Sequence, residues 1–167
     1  SGISGPMLDH SSLSSVQFKA LAQAVSDISH QEDPVGQITS EWLRPNGLRV
    51  RKVRLPLGVI LMIYESRPNV TIDAAALCIR SGNGVILRGG SEARQTNTAL
   101  VTLVRRALAE EQCPEDAVLL VPTQDRAAID TLITFDDCID LVIPRGGEKL
   151  VRRVVQGSRI PVLEHSK

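Results

Sequence analysis

The sequence is poor in aromatic residues, in cysteine and in net charge. Aromatic side chains make up 2% of the 167 residues, which argues against nucleic-acid binding by stacking of bases on aromatic rings. Lysine and arginine total 19, as do aspartate and glutamate, so no overall charge attracts nucleic acid or an anionic membrane. The longest apolar runs, such as residues 56–64, are too short to cross a bilayer. We therefore expect neither nucleic acid nor a membrane as a partner.

The three cysteines, Cys78, Cys113 and Cys138, show no CxxC spacing and no neighbouring histidine cluster. A disulfide framework and a zinc site are therefore not expected, and we predict no metal. The opening residues lack the basic and apolar regions of a secretory signal, so the sequence favours the reducing cytoplasm. Because a reactive thiol needs exposure and a lowered pKa, and these cysteines lie in or beside apolar segments or before a proline, we expect none to be a nucleophile.

The first third of the chain predicts one helix and one basic strand. Apolar residues recur at helical spacing over 14–29. Residues 44–47, "RPNG", are a turn signal, and apolar and basic residues nearly alternate over 48–55. This alternation predicts a half-exposed strand, with room for a slip or bulge in its middle. The strand can serve as an edge strand, as an arm of a hairpin or as an oligomer contact.

Strand and helix patterns alternate regularly from residue 58 onward, with short connections. This alternation predicts an α/β fold: a Rossmann-like parallel sheet with helices on both faces, preceded by the N-terminal helix and the basic β arm. We divide the chain into residues 1–57, a possible oligomer contact, and residues 58–167, the sheet domain. The predicted strands are 58–64, 84–88, 117–122, 139–144 and 160–164, and the predicted helices are 69–82, 91–112, 124–134 and 147–157.

The tripeptide Arg-Gly-Gly stands at the carboxyl ends of two of the predicted strands and leads into a helix. The two copies are Arg88-Gly89-Gly90 and Arg145-Gly146-Gly147. Ligands of open parallel sheets lie beyond the carboxyl ends of the strands. Glycine allows close approach to the backbone, a helix start offers free N–H groups, and arginine adds a cation. One such turn is as well explained by chain reversal alone, but the pair favours binding of an anion or nucleotide. Neither matches the GxGxxG or P-loop pattern.

The segment "ESRPNV" follows the first buried strand and has a different character. Pro68 forces Arg67 out of the helical conformation, and Asn69 is placed to cap the helix that follows. Ser91 is likewise placed to cap the helix over 91–112. Besides its capping role, Asn69 is a candidate donor to a developing oxyanion, and Arg67 is a candidate for holding a substrate anion.

The strings "YESRPNVT", "VILRGGSEA", "IDLVIPRGGEKLV" and "IPVLEHSK" closely resemble the gamma-glutamyl phosphate reductase (glutamate-5-semialdehyde dehydrogenase) family of the aldehyde dehydrogenase superfamily. The resemblance covers essentially the whole chain. It implies an NADP-dependent oxidoreductase that uses NADPH to reduce L-glutamyl 5-phosphate to the semialdehyde, with release of phosphate, in proline biosynthesis. It also implies a homo-oligomer and a possible association with glutamate kinase.

The resemblance also assigns roles to individual residues. Arg88 stands where relatives commonly carry a lysine that faces the adenosine ribose, and a neutral Ser91 leaves room for a 2′-phosphate. The segment "PRGG" at 144–147, with Arg145, Gly146 and Gly147, matches the turn near the cofactor diphosphate, and Pro122 walls the adenine side. Asn69 is the oxyanion candidate, with Arg67 as its competitor, and Glu164 stands at the position of the hydrolytic base of the superfamily.

The catalytic cysteine of the family belongs to a second domain whose sequence lies beyond this chain. We therefore expect a fragment: an incomplete cofactor-binding domain, inactive alone, without the nucleophile. One alternative is a non-enzymatic assembly module that acts through the basic arm and carries vestigial nucleotide turns. Another alternative is that Cys78 or Cys138 substitutes as the nucleophile.

Overall fold

A computed structural model describes residues 14–65 and 67–164 of the chain. Predictions that fall on residues 1–13, on Ser66 and on residues 165–167 lie outside the described residues. The described strands are β1 (Ile38–Leu43), β2 (Arg49–Val53), β3 (Val59–Tyr64), β4 (Gly84–Arg88), β5 (Val118–Leu120) and β6 (Leu141–Arg145). The described helices are α1 (Ser15–Ser29), α2 (Pro68–Arg80), α3 (Arg94–Glu110), α4 (Ala127–Leu132) and α5 (Glu148–Gly157).

Helix α1 begins with a reciprocal capping box. The Ser14 Oγ accepts from the Gln17 N–H at 3.2 Å, and the Gln17 Oε1 accepts from the Ser14 N–H at 2.8 Å. Leu21 of α1 packs with Ile72 of α2 and Leu100 of α3. The helix predicted over 14–29 is thus confirmed, and it joins the helical layer of the sheet. The division of the chain at residue 57 stays a prediction.

Strands β1 and β2 form an antiparallel hairpin around the predicted turn. The sequence pattern predicted β2 and missed β1, although two runs flanking "RPNG" are a hairpin signal. The irregular register lies between Ile38 and Ser40 of β1, whereas the sequence placed a possible bulge within 48–55. Every residue of β1 is exposed, and so are four of the five in β2.

Strands β3 to β6 form one parallel sheet in the order β5-β4-β3-β6. Successive side chains point to opposite faces, so Ile60 packs with the side of α2 and α3, and Leu61 with the side of α4 and α5. The predicted parallel sheet with helices on both faces is therefore confirmed. The chain runs outward from β3 to β5 and then returns to place β6 on the other side of β3, which makes a topological switch point between β3 and β6.

The amino edge of the sheet is held by side chains that bond to the backbone. The Asn83 Oδ1 accepts from the N–H groups of Leu57 and Gly58, at 2.6 and 2.9 Å. The Asp140 Oδ2 accepts from the Val59 N–H at 2.7 Å. Gly58 has a φ of +119°, and a Cβ there would lie 2.0 Å from Asp140 Oδ2. The side chains of Asn83 and Asp140 thus satisfy the backbone N–H groups at the amino end of β3.

The predicted fifth strand was wrong. Residues 160–164 touch the sheet through one bridge, Val142 to Val162. The Val142 N–H donates to the Pro161 carbonyl and the Leu163 N–H donates to the Val142 carbonyl, both at 2.9 Å. Pro161 has no N–H to give to a longer ladder. The predicted strand 117–122 and helix 124–134 also shorten, to β5 and α4.

Candidate functional site

The two Arg-Gly-Gly turns flank β3 at the carboxyl edge of the sheet. The turn after β4, residues 88–90, is the first glycine turn, and the turn after β6, residues 145–147, is the second. Because β4 and β6 are the two neighbours of β3, the turns lie on either side of its carboxyl end. The predicted placement of both turns on one edge is confirmed.

Arg88 of the first glycine turn is directed into the protein. Its exposed fraction is 8%. The guanidinium donates to the carbonyl oxygens of Gly89, at 3.1 Å, and of Gln124, at 3.0 Å. Burial, with a contribution from Arg126, lowers the pKa of Arg88. Arg88 therefore ties the loop that follows β5 to the end of β4.

Gly89 is packed against buried side chains. A Cβ at this position would lie 2.3 Å from Asn97 Nδ2 and 3.1 Å from the Tyr64 ring. Asn97 and Tyr64 are 2% and 1% exposed, so neither can move aside easily. Glycine at position 89 is therefore required by packing beneath the turn.

The far side of the first glycine turn meets solvent. Gly90 precedes a short 3₁₀ turn, Ser91–Ala93, and neither this turn nor α3 has a side-chain cap. Ser91 therefore does not cap the helix as expected, because its exposed Oγ instead bonds with Glu92 Oε2 at 3.3 Å. A Cβ on Gly90 would lie 2.3 Å from Glu92 Oε1. A carboxylate of the chain thus lies against this turn.

The second glycine turn holds a carboxylate in hydrogen-bond contact. The Gly147 N–H donates to Glu65 Oε2 at 2.9 Å, and the Glu65 N–H donates to the Arg145 carbonyl at 3.1 Å. A Cβ on Gly146 would lie 2.7 Å from Glu65 Cδ. Glu65 is exposed, so its carboxylate can leave. Sequence reasoning gave Glu65 no role, although it directly follows the strand beside β6.

Arg145 contrasts with Arg88 because it is exposed. Its backbone extends β6 in register with Tyr64. The N-terminus of α5 begins directly after Gly147. The second glycine turn therefore combines an exposed cation with a backbone N–H that already binds a carboxylate.

Arg67 is extended, with φ of −130° and ψ of 93°, as Pro68 requires. It is the N-cap residue of α2 and no side chain caps this helix. The predicted capping role of Asn69 was therefore wrong, because Asn69 lies inside the first turn and its Nδ2 donates to Asp73 Oδ2 at 3.4 Å. Both Arg67 and Asn69 are exposed at the carboxyl edge of the sheet.

The loop after β5 carries Pro122, which is exposed, and Gln124, which sequence reasoning missed. Two buried polar atoms in this region, Arg88 Nε and Gln124 Oε1, have no hydrogen-bond partner among the described residues. No local sequence signal marks Gln124. Glu164 is exposed at the end of the described residues, and its assignment as a base stays a prediction.

The cysteines lack the environment of a nucleophile. Burial raises the pKa of Cys78 to about 11. The negative charge of Asp137, followed by a hydrogen bond to it, raises the pKa of Cys138. Cys113 is exposed and its thiol contacts the Glu111 carbonyl. Raised pKa values favour the unreactive thiol form, so they argue against Cys78 or Cys138 as a substitute nucleophile.

The described residues contain no cluster of His, Cys, Asp and Glu side chains able to hold a metal ion. Within the same residues no helix is long and apolar enough to cross a membrane. A cavity of about 340 Å³ has a lining that includes Leu57, Met62 and Cys78 and no residue of either glycine turn. It is therefore separate from the two glycine turns.

Comparison with known proteins gives close relatives. No family model matches the chain. The gamma-glutamyl phosphate reductase of Desulfatibacillum aliphaticivorans is 52% identical over 167 residues, which is all of this chain and 40% of the relative. The crystal structure of the gamma-glutamyl phosphate reductase of Thermotoga maritima is 38% identical, with a TM-score of 0.93, over 98% of this chain and 40% of that one.

More distant structures share the fold alone. Propionaldehyde dehydrogenase of Rhodopseudomonas palustris is 18% identical, with a TM-score of 0.68, over 89% of this chain and 38% of that one. An engineered glycolyl-CoA reductase with bound NADP+ is 20% identical, with a TM-score of 0.67, over 89% of this chain and 37% of that one. These findings confirm the resemblance read from the sequence. Over its whole length the chain is similar to gamma-glutamyl phosphate reductases, and it spans about two fifths of their length.

Proposed function

We propose that the chain forms the NADPH-binding part of a cytoplasmic gamma-glutamyl phosphate reductase. The complete protein would reduce L-glutamyl 5-phosphate to L-glutamate 5-semialdehyde and release phosphate. The relatives' names support the reaction, and the NADP+ bound to the glycolyl-CoA reductase of the same fold supports the cofactor. The observation that carries the proposal is the Gly147 N–H, which already holds a carboxylate oxygen at the switch point.

The residues at the carboxyl edge fit a dinucleotide phosphate. The Glu65 carboxylate stands in for a phosphate oxygen on Gly147, and its exposure allows it to be displaced. Arg145 is free of the core and its charge would lie beside the same oxygens. Gly146 leaves the backbone accessible. In this proposal the second glycine turn binds the diphosphate.

The first glycine turn would face the ribose. The Nη groups of Arg88 are already bonded to carbonyl oxygens, so Arg88 would hold the shape of the turn. Its positive charge would lie beneath the turn. Gly90 and the exposed Ser91 would border the 2′-phosphate, and Glu92 would turn away. Pro122 would limit the adenine side. The neutral Ser91 would favour NADPH over NADH once the Glu92 carboxylate, which bonds with Ser91 Oγ at 3.3 Å, has moved away.

The bound nicotinamide cofactor would supply the hydride. The residues of this chain would bind and orient the substrate. Arg67 would hold a substrate anion, and Asn69 would donate to the oxyanion. Both side chains are exposed at the start of α2, so they are open to a ligand on that edge. The nucleophilic cysteine would come from the part of the relatives' length that this chain does not span.

Isothermal titration of the 167-residue chain with NADPH tests the proposal. We expect binding that is weakened by Arg145→Glu and left unchanged by Arg106→Glu, because Arg106 is an exposed arginine on α3 that pairs with Glu110. Binding of NADH should be weaker than that of NADPH. A folded sample that shows no NADPH binding would contradict the proposal.

A second function is favoured by the hairpin. The exposed fractions of Trp42, Leu43 and Leu48 are 45%, 69% and 59%. Trp42 and Leu43 lie on β1, and Leu48 lies in the turn that follows it. Such a ribbon is suited to pairing with another chain. In this second proposal the hairpin binds a second copy, and the complete protein is a homo-oligomer. Native mass spectrometry tests this second proposal. A monomer with unaffected NADPH binding would contradict assembly. A complex formed on mixing with glutamate kinase would instead show that the kinase is the partner.

A further inference from the structure

A chain of three buried polar side chains joins the elements that carry the two ends of the proposed site. Tyr64 ends β3, Thr71 lies in the first turn of α2, and Asn97 lies in the first turn of α3. Their exposed fractions are 1%, 0% and 2%. The Tyr64 hydroxyl lies 2.7 Å from Thr71 Oγ1, and Thr71 Oγ1 lies 2.8 Å from Asn97 Oδ1. None of the proposed contacts with cofactor or substrate uses these bonds.

The chemistry of the three groups fixes which group donates in each hydrogen bond. The Asn97 Oδ1 can only accept, so the Thr71 hydroxyl gives its one proton to it. The Tyr64 hydroxyl must then be the donor to Thr71. Burial raises the pKa of Tyr64 to about 12, against a smaller lowering by the bond to Thr71. The Tyr64 hydroxyl therefore keeps its proton, and the order Tyr64 to Thr71 to Asn97 is the only one that satisfies both bonds.

The far end of Asn97 supports the first glycine turn. Its Nδ2 occupies the space in which a Cβ of residue 89 would lie, at 2.3 Å from that position. At the other end of this hydrogen-bonded series, Tyr64 directly precedes Glu65, and Thr71 follows two residues after Asn69. The two hydrogen bonds, together with the packing of Asn97 against Gly89, thus connect the segment that carries Arg67 and Asn69 with the turn that carries Arg88.

We propose that Tyr64, Thr71 and Asn97 are positioning residues that fix the first glycine turn and the 67–69 segment relative to each other. The inference rests on the proposed function, because it assigns the turn to the cofactor and the segment to the substrate. A satisfied buried network adds little net stability over apolar packing, but its bonds are directional and fix distances. This network therefore acts on geometry more than on stability.

Two substitutions at Thr71 separate hydrogen bonding from packing. Thr71→Val keeps the shape and removes the hydroxyl, whereas Thr71→Ser keeps the hydroxyl and removes a methyl group. Thr102→Val is the control, because Thr102 is an exposed threonine of α3 whose hydroxyl bonds to its own helix. We expect the Kd for NADPH to rise about tenfold in Thr71→Val and to stay near the wild-type value in Thr71→Ser and Thr102→Val.

Loss of stability alone leaves this Kd unchanged while nearly all of the protein is folded. Titrations at a temperature well below the unfolding transition of every variant therefore separate positioning from a structural role. Equal Kd values for Thr71→Val and wild type, or an equal rise in Thr71→Ser, would overturn the inference. If Thr71→Val does not fold, Tyr64→Phe removes the first bond alone and is expected to raise the Kd in the same direction.

Native-state hydrogen exchange without ligand separates this inference from the proposed function. We expect the amides of residues 67, 69 and 70 and of residues 88–91 to exchange faster in Thr71→Val than in Thr71→Ser, with both segments affected together. Unchanged exchange in either segment would overturn the network's role, whether or not NADPH binds. Absence of NADPH binding to the wild type with the expected exchange would overturn the proposed function and leave the positioning role supported.

Discussion

The two glycine turns have the same sequence, Arg-Gly-Gly, and opposite environments. In the first, Arg88 is buried and donates to carbonyl oxygens, and Gly89 packs against Asn97 and Tyr64. In the second, Arg145 is exposed, and Gly146 and Gly147 meet the exposed carboxylate of Glu65. The same tripeptide thus forms a packed support in the first glycine turn and an exposed contact with an anion in the second.

The difference follows from what lies behind each strand end. Behind β4 lie the helices α2 and α3, which bring buried polar side chains to the turn. The second glycine turn has the chain's own Glu65 as its nearest polar neighbour, at the switch point where ligands of such sheets bind. We infer that the first turn sets the geometry of the site and the second makes the more direct contact with phosphate.

The largest expected effect separates the two turns by stability. Gly89→Ala places a Cβ against two buried side chains, so we expect it to lower the free energy of unfolding by about 3 kcal/mol. Gly146→Ala meets the exposed Glu65 side chain and Leu150, which can shift, so we expect a loss of about 1 kcal/mol or less. Urea denaturation of both variants provides the comparison, and equal losses would show that the environments do not differ as described.

The arginines provide the next contrast. Arg88→Ala removes the donors to the carbonyl oxygens of Gly89 and Gln124, and we expect a loss of about 2 kcal/mol in the free energy of unfolding. Arg145→Ala removes an exposed side chain, and we expect a change within about 0.5 kcal/mol. Thermal and urea unfolding check both values. A destabilised Arg145→Ala variant would mean that this arginine also supports the fold.

The smallest expected effect concerns Glu65. Glu65→Gln keeps an acceptor for the Gly147 N–H and removes the negative charge that competes with phosphate. We expect the Kd for NADPH to fall about threefold. Glu110→Gln, an exposed substitution on α3, is the matched control and should leave the Kd unchanged. Weaker binding by Glu65→Gln would contradict the role of the carboxylate as a competitor.

The fold could be predicted well from periodicity, and the site only in part. Continuous apolar runs indicated β3, β4 and β6, because strands covered on both faces need such runs. Strand β1 was missed because its residues are exposed and carry no burial pattern. The segment predicted as a strand over 160–164 forms only one bridge to β6, because an apolar run does not reveal how far the pairing extends and Pro161 has no N–H to give to a longer ladder.

Sequence placed both glycine turns on one edge, since parallel strands put their carboxyl ends together. It could not show that Arg88 points inward and Arg145 outward, because the two tripeptides are the same. It also gave no role to Glu65, Gln124 or Asn97. Their contacts join residues 82, 36 and 26 positions apart, and such contacts depend on the fold.

The measurement that tests the central claim most directly is an NMR titration of the 167-residue chain with NADPH. We predict that the largest amide shifts occur at Gly146, Gly147 and Glu148, with smaller shifts at Gly90 and Ser91. Shifts confined to the first glycine turn, or shifts absent from both turns in a folded sample, would contradict the division of roles between the two turns.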